Sequence, residues 1–174
     1  MGQPQGPVGA GPPVTVFVGN ITERAPDAMI RLLLNACGPV LSWKRVQGAT
    51  GKLQGFGFCE YADPDAGMRA IRILHDWDLA GDKALVVKVD PKTKGVLDEY
   101  KRARVKEMTG KSPPPPQEGE NADKDDSYMD GPMRQEDAMT RDRIRAILND
   151  HSKEMNAYVP RSEHYTQFFS VSFL

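Results

Sequence analysis

The sequence has few of the residues that build disulfide frameworks, metal centres or membrane spans. Its 174 residues include two cysteines, Cys37 and Cys59, both on faces that we expect to be buried. Two such cysteines exclude a disulfide framework and zinc-ligand spacing, and they favour reduced thiols in the core of an intracellular protein. No apolar run approaches the roughly 20 residues of a membrane span, and the Pro/Gly-rich start lacks the basic and apolar segments of a secretory signal. We therefore expect no membrane association, no metal and no cofactor.

Groupings of catalytic side chains are also scarce. The three histidines, His75, His151 and His164, have no Cys, Asp or Glu partner at the spacing of a metal site or a catalytic triad. The glycines on either side of Phe56 are not followed by the Lys and Ser/Thr of a phosphate-binding loop. The sequence therefore predicts a protein that is not an enzyme.

The chain as a whole has no excess of charge of one sign, since its formal net charge is −1, but some of its segments do. Residues 14–90 carry nine bases and nine acids, residues 92–111 carry seven bases and three acids, and residues 112–130 carry one base and six acids. A nearly neutral segment followed by a basic one favours nucleic-acid binding through stacking and local charge, without a strongly positive field.

The ends of the chain differ in composition from its middle. Residues 1–13 are low-complexity Gly/Pro sequence, and residues 111–132 contain four consecutive prolines followed by an acidic run. Such segments bury too little apolar surface to offset the entropy of ordering, so we predict a disordered lead and a linker. Between them we place one domain at residues 14–90 and a basic helical extension at 91–110. A partly helical tail follows at 133–174.

Hydrophobic spacing within the domain predicts the element order βαββαβ. Apolar runs or alternation give four strands, at residues 14–19, 40–46, 53–61 and 85–89. Apolar residues at helical spacing give two helices, with stripes at Ile30, Leu33, Leu34 and Cys37 and at Gly67, Ala70, Ile71 and Leu74. This order is the ferredoxin-like split βαβ arrangement, in which two helices cover one face of a four-stranded antiparallel sheet. The predicted fold class is α+β.

The most informative stretch is 54–61, Gln-Gly-Phe-Gly-Phe-Cys-Glu-Tyr, in the third predicted strand. Alternation along a strand puts Phe56 and Phe58 on one face and small residues on the other. A strand that presents its large aromatics and buries its small residues is suited to stacking flat ligands. The first strand adds Phe17, so pairing of the two strands would place three aromatics on a surface that can stack nucleic-acid bases.

These two strands resemble the paired sequence signatures of the RNA recognition motif family, and they occur in the family's order about 38 residues apart. The longer signature reads Lys/Arg, Gly, Phe/Tyr, Gly/Ala, Phe, Val, any residue, Phe/Tyr. Six of its seven specified positions have an equivalent here if Cys59 stands in for valine. The exception is Gln54, where the family has a base, and Lys52 is a partial substitute on the same alternation. The resemblance implies a sandwich of this family, with its sheet surface binding single-stranded RNA.

The resemblance and the strand alternation together identify candidate RNA contacts. The aromatics are expected to stack on bases, and lysines of the second and fourth strands to meet phosphates or base edges on the same face. Arg45 and Trp43 are less certain, because a bulge in the second strand would reverse their faces. Trp43 is either core or an extension of the stacking surface, and Asn20 is either an RNA contact or a turn residue. The predicted RNA-binding residues are Phe17, Phe56, Phe58, Lys44, Lys88, Lys52, Asn20 and Arg45.

Two segments after the domain have helical patterns whose roles stay open. At residues 92–108 a thin apolar side accompanies many bases, so the helix is either solvated, adds charge beside the RNA surface or packs on the sheet. From about residue 135, apolar residues fall roughly on one side, with no second element evident that could cover them. This pattern fits a helix that binds a partner or an isolated helix of marginal stability.

A narrower resemblance is to a family of nuclear splicing regulators. It is carried by residues 16–20, 37–48, 56–61, 85–90 and 141–149. Members continue into a long Arg/Glu-rich region and a C-terminal PWI domain, so this chain is interpreted as an N-terminal piece or short variant. The resemblance implies single-stranded pre-mRNA and spliceosomal proteins as partners, a role in alternative splicing, and a nuclear location that includes speckles.

The competing hypothesis is a protein-interaction module that recruits splicing factors through its helical face or its tail. Domains of the family with that role often lose the sheet aromatics. Retention of all three aromatics argues against it as the sole role, although both roles are compatible. We expect a monomer, with a cytoplasmic population besides the nuclear one.

Overall fold

The computed structural model describes residues 11–115 and 125–157, and the structural statements below concern these residues. Its strands are β1 (Val14–Gly19), β2 (Val40–Gln47), β3 (Leu53–Tyr61) and β4 (Val86–Lys88), and its helices are α1 (Asp27–Cys37), α2 (Pro64–Leu74), α3 (Pro91–Thr109), α4 (Gly131–Asp150) and α5 (Ser152–Ala157). The predicted order βαββαβ is confirmed for the first six elements. Most of the predicted disordered lead, part of the predicted linker and the end of the tail lie outside the described residues.

The four strands form one antiparallel sheet in the order β2-β3-β1-β4. The two strands with signature aromatics, β1 and β3, are therefore its central pair. β4 is only three residues long, shorter than the 85–89 expected. The backbone of Leu85 instead bonds to the segment after α2, donating to the carbonyl oxygen of Trp77 and accepting from the amide of Asp76.

The hydrophobic core lies between one face of the sheet and helices α1 and α2. Its contributors alternate along the strands and recur at helical spacing on α1, as the sequence predicts. They include Val14, Val16, Val18, Ile30, Leu33, Leu34, Ala70 and Leu74. Tyr61 is also buried in this layer and donates a hydrogen bond from its hydroxyl to the carbonyl oxygen of Leu34 at 2.8 Å. A buried phenol is tolerated there because its polar end is paired.

Cys37 and Cys59 are core residues, as predicted, and so is Trp43, whose position the sequence left open. Burial raises the pKa of the Cys37 and Cys59 thiols to about 12, so both are protonated and unreactive at neutral pH. Trp43 is almost fully buried, and its Nε1 donates to Oδ1 of Asp27 at 3.0 Å. Burial acts to raise the pKa of Asp27, but hydrogen bonds from Trp43 and Arg31 outweigh it and lower that pKa. Trp43 therefore ties β2 to the start of α1 and is no part of a stacking surface.

Gly57 permits the close approach of β2 to β3. A Cβ built at this position would lie 2.5 Å from the carbonyl oxygen of Lys44 and 2.8 Å from the Cα of Arg45, and both are backbone atoms. It would also lie 2.6 Å from the buried ring of Trp43. The small residue between the two signature aromatics is therefore required by packing on the inner face.

Replacing Gly57 with alanine should lower the free energy of unfolding by about 1–3 kcal/mol, the usual cost of forcing extra volume into a packed core. The measurement is urea unfolding of the full chain, followed by circular dichroism. Gly95→Ala is the control, because a Cβ at that position of α3 meets nothing within 4 Å and should stabilise the helix by about 0.5–1 kcal/mol. Equal stability of the two variants would contradict the packing argument.

Helix α3 packs beside α2 and leaves the outer face of the sheet uncovered. Asp90 caps its N-terminus by accepting from the amide of Thr93, and proline follows at the first helical position. Leu97 is its one buried residue within the described range, and the hydroxyl of Tyr100 donates to Oδ2 of Asp65 at 2.9 Å. The helix thus packs on the helical side of the domain, which differs from packing on the sheet, one of the roles left open for it.

Helix α4 packs across α1 and α2, which differs from the isolated helix considered above. Its buried residues are Met133, Asp137, Thr140 and Ile144. Asp137 receives two hydrogen bonds of 2.8 Å from Arg72 of α2, and Arg69 lies 3.3 Å away. The sequence indicates this buried stripe only in part, because two of its four residues are polar and the partner of Asp137, Arg72, is 65 positions distant.

The segment just before α4 is also part of the folded unit. Tyr128 is buried, and its hydroxyl accepts a hydrogen bond from Arg72 at 2.8 Å. Its ring centre lies 5.7 Å from that guanidinium and 5.3 Å from the ammonium of Lys101. Arg104 of α3 pairs with Asp130, the N-cap of α4, at 3.0 Å. Residues 128–132, predicted to be linker, are thus part of the folded unit, and α2, α3 and α4 are joined by this cluster.

Candidate nucleic-acid interface

The outer face of the sheet carries one continuous row of four side chains. Cα pairing aligns Lys44 with Phe58, Phe58 with Phe17, and Phe17 with Lys88. The row crosses all four strands and places two aromatics at the centre with one lysine at each edge. We call Lys44, Phe58, Phe17 and Lys88 the platform row.

The aromatic rings form a connected, accessible surface. The ring centre of Phe17 lies 6.0 Å from that of Phe56 and 5.8 Å from that of Phe58. Phe56 and Phe58 are 37% and 47% exposed, which is unusual for residues of their size. A Cβ at Gly19 would lie 2.4 Å from the Phe17 ring, so this glycine leaves room for that ring against the strand. The three predicted stacking residues are brought together.

The two lysines give the aromatic surface positive edges. Lys88 Nζ lies 5.4 Å from the ring centre of Phe17, within the range of a cation–π contact. Lys44 is exposed on the opposite edge strand, β2. Since phosphates lie outside stacked bases, lysines at the rim can contact the backbone of a strand whose bases lie on the rings.

Arg45 and Lys52 are not on this surface, contrary to expectation. The two irregularities in β2 fall before Ser42 and after Arg45, and the pairing between them is regular. Arg45 therefore opposes Gly57 and shares the inward side of Trp43. Arg45 donates to the carbonyl oxygens of Gln54 at 2.8 Å and Ala25 at 3.3 Å. Burial lowers the pKa of Arg45, and neighbouring Asp27 opposes this shift.

Lys52 lies in the turn just before β3, where its ammonium is 3.6 Å from Oε1 of Glu23. Together with Arg45 it lines a mixed-charge groove of about 350 Å³ at the helical side of the sheet, to which α5 contributes Glu154. The equal number of acids and bases at this groove makes it a poor phosphate site. The placement of Lys52 therefore does not support it as a partial substitute for the basic residue that the longer family signature has at the position of Gln54.

Asn20 has the geometry of a turn residue. Its φ is 53°, a left-handed conformation that asparagine adopts more readily than most residues. Its side chain donates to the carbonyl oxygen of Ala84 at 2.7 Å. This contact holds the end of β1 against the loop before β4, as the turn interpretation expects.

Other kinds of site find no support within residues 11–115 and 125–157. No group of three or more His, Cys, Asp or Glu side chains there is positioned to hold a metal ion. None of the helices described is both long and apolar enough to cross a lipid bilayer.

Comparison with known proteins agrees with the geometry. Residues 16–84 match the family model described as RNA recognition motif, and this part of the chain belongs to that family. Over 156 residues the chain is 48% identical to human RNA-binding protein 25, and this alignment covers 89% of the chain but only 18% of that protein. Over 68 residues it is 38% identical to human cleavage stimulation factor subunit 2, covering 38% of this chain and 12% of that protein.

Among solved structures, the RRM of RNA15 is similar with a TM-score of 0.43 and 27% sequence identity, covering 48% of this chain and 97% of that chain. The chain spans less than a fifth of the length of the two curated human relatives named above. The family match begins at residue 16, so only 15 residues precede it. The 156 residues similar to RNA-binding protein 25 must therefore include part of the region after β4.

Proposed function

We propose that the chain binds single-stranded RNA on the outer face of its sheet. The observation that carries this proposal is the platform row, two central aromatics flanked by lysines on a face that α3 and α4 leave open. Bases stack on Phe17 and Phe58, and Phe56 contacts the RNA between these two bases. Lys44 and Lys88 neutralise phosphates. Single-stranded RNA fits because its unstacked bases are free to lie on aromatic side chains.

We further propose that the RNA is pre-mRNA, that the process is the regulation of splicing in the nucleus, and that spliceosomal proteins are partners. The similarity to RNA-binding protein 25, together with that to a cleavage stimulation factor subunit, supports a role in mRNA processing. We expect the chain to act by binding alone, without a catalytic step. Because α4 covers part of the helical face, a protein partner at α1 and α2 would compete with it, whereas the sheet is free.

The test is fluorescence anisotropy of the full 174-residue chain against a pool of short single-stranded RNAs, with duplex RNA of matching sequence for comparison. Saturable binding of the single strands at low salt, and much weaker binding of the duplex, is the expected result. No binding of any single-stranded RNA at low salt would overturn the proposal.

Removing the edge lysines should change the salt dependence of binding more than its specificity. In the Lys44→Gln, Lys88→Gln variant two phosphate contacts are lost. The slope of log K against log salt concentration is negative, and its magnitude should decrease by about 1.4, at about 0.7 per contact for single strands. Titrations at three salt concentrations measure this slope. Lys153→Gln, an exposed lysine of α5, is the control and should leave the slope unchanged. A slope that stays the same in the double variant would place the phosphate contacts elsewhere.

A further inference from the structure

Glu60 is a carboxylate on the same face of the sheet, next to the platform row. It follows Phe58 by two positions on β3 and therefore points to the same side. Its Cα partners are Thr15 on β1 and Ser42 on β2. The row Ser42–Glu60–Thr15 is thus the immediate neighbour of the platform row, within reach of a base stacked on Phe58.

The Glu60 carboxylate has no ion pair and no hydrogen bond within the part of the chain that the structure describes. The side chain is half-buried, and its two neighbours across the strands are exposed residues with neutral hydroxyl groups. An ionised carboxylate accepts hydrogen bonds through both oxygens and donates none. Glu60 is therefore an acceptor pair beside the stacking surface, with no cation assigned to it.

The chemistry of a carboxylate restricts what can face it. It repels phosphate and accepts from donors, which in RNA are base N–H groups and the ribose hydroxyl, and of these only the base N–H groups differ between nucleotides. Guanine presents two adjacent donors on its Watson–Crick edge, N1–H and the 2-amino group, which match two carboxylate oxygens. Adenine and cytosine each present one amino group, and uracil presents a single N–H between two carbonyl acceptors.

We propose that Glu60 is a specificity-determining residue that selects guanine for the base stacked on Phe58. The carboxylate accepts N1–H on one oxygen and the 2-amino group on the other. The inference rests on the RNA binding proposed above and adds the identity of one base to it. It also gives a function to the only acidic side chain in the two neighbouring rows of the outer face.

The test uses the full chain and three labelled RNA octamers, namely all uracil, uracil with one central guanine, and the same RNA with inosine in place of guanine. The guanine RNA should bind about tenfold or more tightly than the all-uracil RNA, the size of a hydrogen bond to a charged group. Inosine lacks the 2-amino group and should fall between them. Glu60→Gln should reduce the guanine preference to near unity, because an amide offers one acceptor and places a donor against the other guanine donor. Glu107→Gln on α3 is the matched control and should retain the preference.

Three outcomes would overturn the assignment. Equal binding of the three RNAs by the wild-type chain would show no base selection, and a preference retained by Glu60→Gln would assign it to another residue. A uniform gain in affinity in Glu60→Gln would show that Glu60 only repels the backbone. Each of these leaves RNA binding intact, whereas failure of all three RNAs to bind the wild-type chain would overturn the proposed function first. Circular dichroism of each variant confirms that it is folded.

Discussion

The Phe17→Ala, Phe58→Ala variant should bind short single-stranded RNA at least about 30-fold more weakly than the wild-type chain, since each stacking aromatic contributes about 1–3 kcal/mol per base. The two rings are paired across the centre of the sheet, so their removal takes away the stacking surface while leaving the lysines in place. The inner-face core does not depend on them, and the variant should remain folded. Anisotropy titrations at two salt concentrations measure the loss.

Leu32→Ala is the control for this variant, because Leu32 is 46% exposed on α1 and so resembles Phe58 in exposure but not in position. It should bind RNA as the wild-type chain does. Unchanged binding by the double aromatic variant, together with a steep salt dependence, would mean that the basic helix α3 carries the contact. In that event the stacking hypothesis is wrong even though RNA binding is right.

Asp137→Ala should lower the free energy of unfolding by about 3–5 kcal/mol, the usual cost of removing one partner from a buried ion pair. The carboxylate is almost fully buried between Arg69 and Arg72, whose side chains are also mostly covered. Burial acts to lower the pKa of Arg72, but its hydrogen bonds with Asp137 and Tyr128 outweigh it and raise that pKa, so the guanidinium stays charged. Without Asp137 two buried cations face each other, and α4 should detach from α2.

Urea unfolding measures this change, and limited proteolysis should show faster cleavage within α4 of the variant. Asp142→Ala is the matched control on the same helix. Its pair with Arg145 is largely exposed and should contribute no more than about 0.5 kcal/mol. A similar effect of both substitutions would contradict the assignment of Asp137 as the residue that attaches the helix.

The sheet and its aromatic surface could be predicted from the sequence because the information is local. Alternation in β3 assigns Phe56 and Phe58 to one face without any knowledge of the partner strands, and the same rule assigns Lys44 once β2 is in register. Glu60 obeys the same alternation and could have been found by it. The sequence alone does not single it out, because aromatic and basic residues are the types expected at an RNA surface and an acidic residue is not.

Placement of α4 could not be predicted because its attachment is polar and distant in sequence. An aspartate such as Asp137 is expected on the solvated face of a helix, since burial of a charge requires a partner that the local sequence does not reveal. Those partners, Arg69 and Arg72, lie on α2, more than 60 residues earlier. The misplacement of Arg45 has a related cause, because the position of a bulge depends on the paired strand.

The shortness of the platform row limits how much of a message one copy of this domain can distinguish. A sheet with two or three stacking aromatics holds two or three bases. Sequences of two or three bases recur by chance throughout any transcript. Binding through this face alone would therefore distribute the protein over many sites. Under the proposed function, choice of one particular site would therefore need contacts besides this face, since linked contacts raise one another's effective concentration.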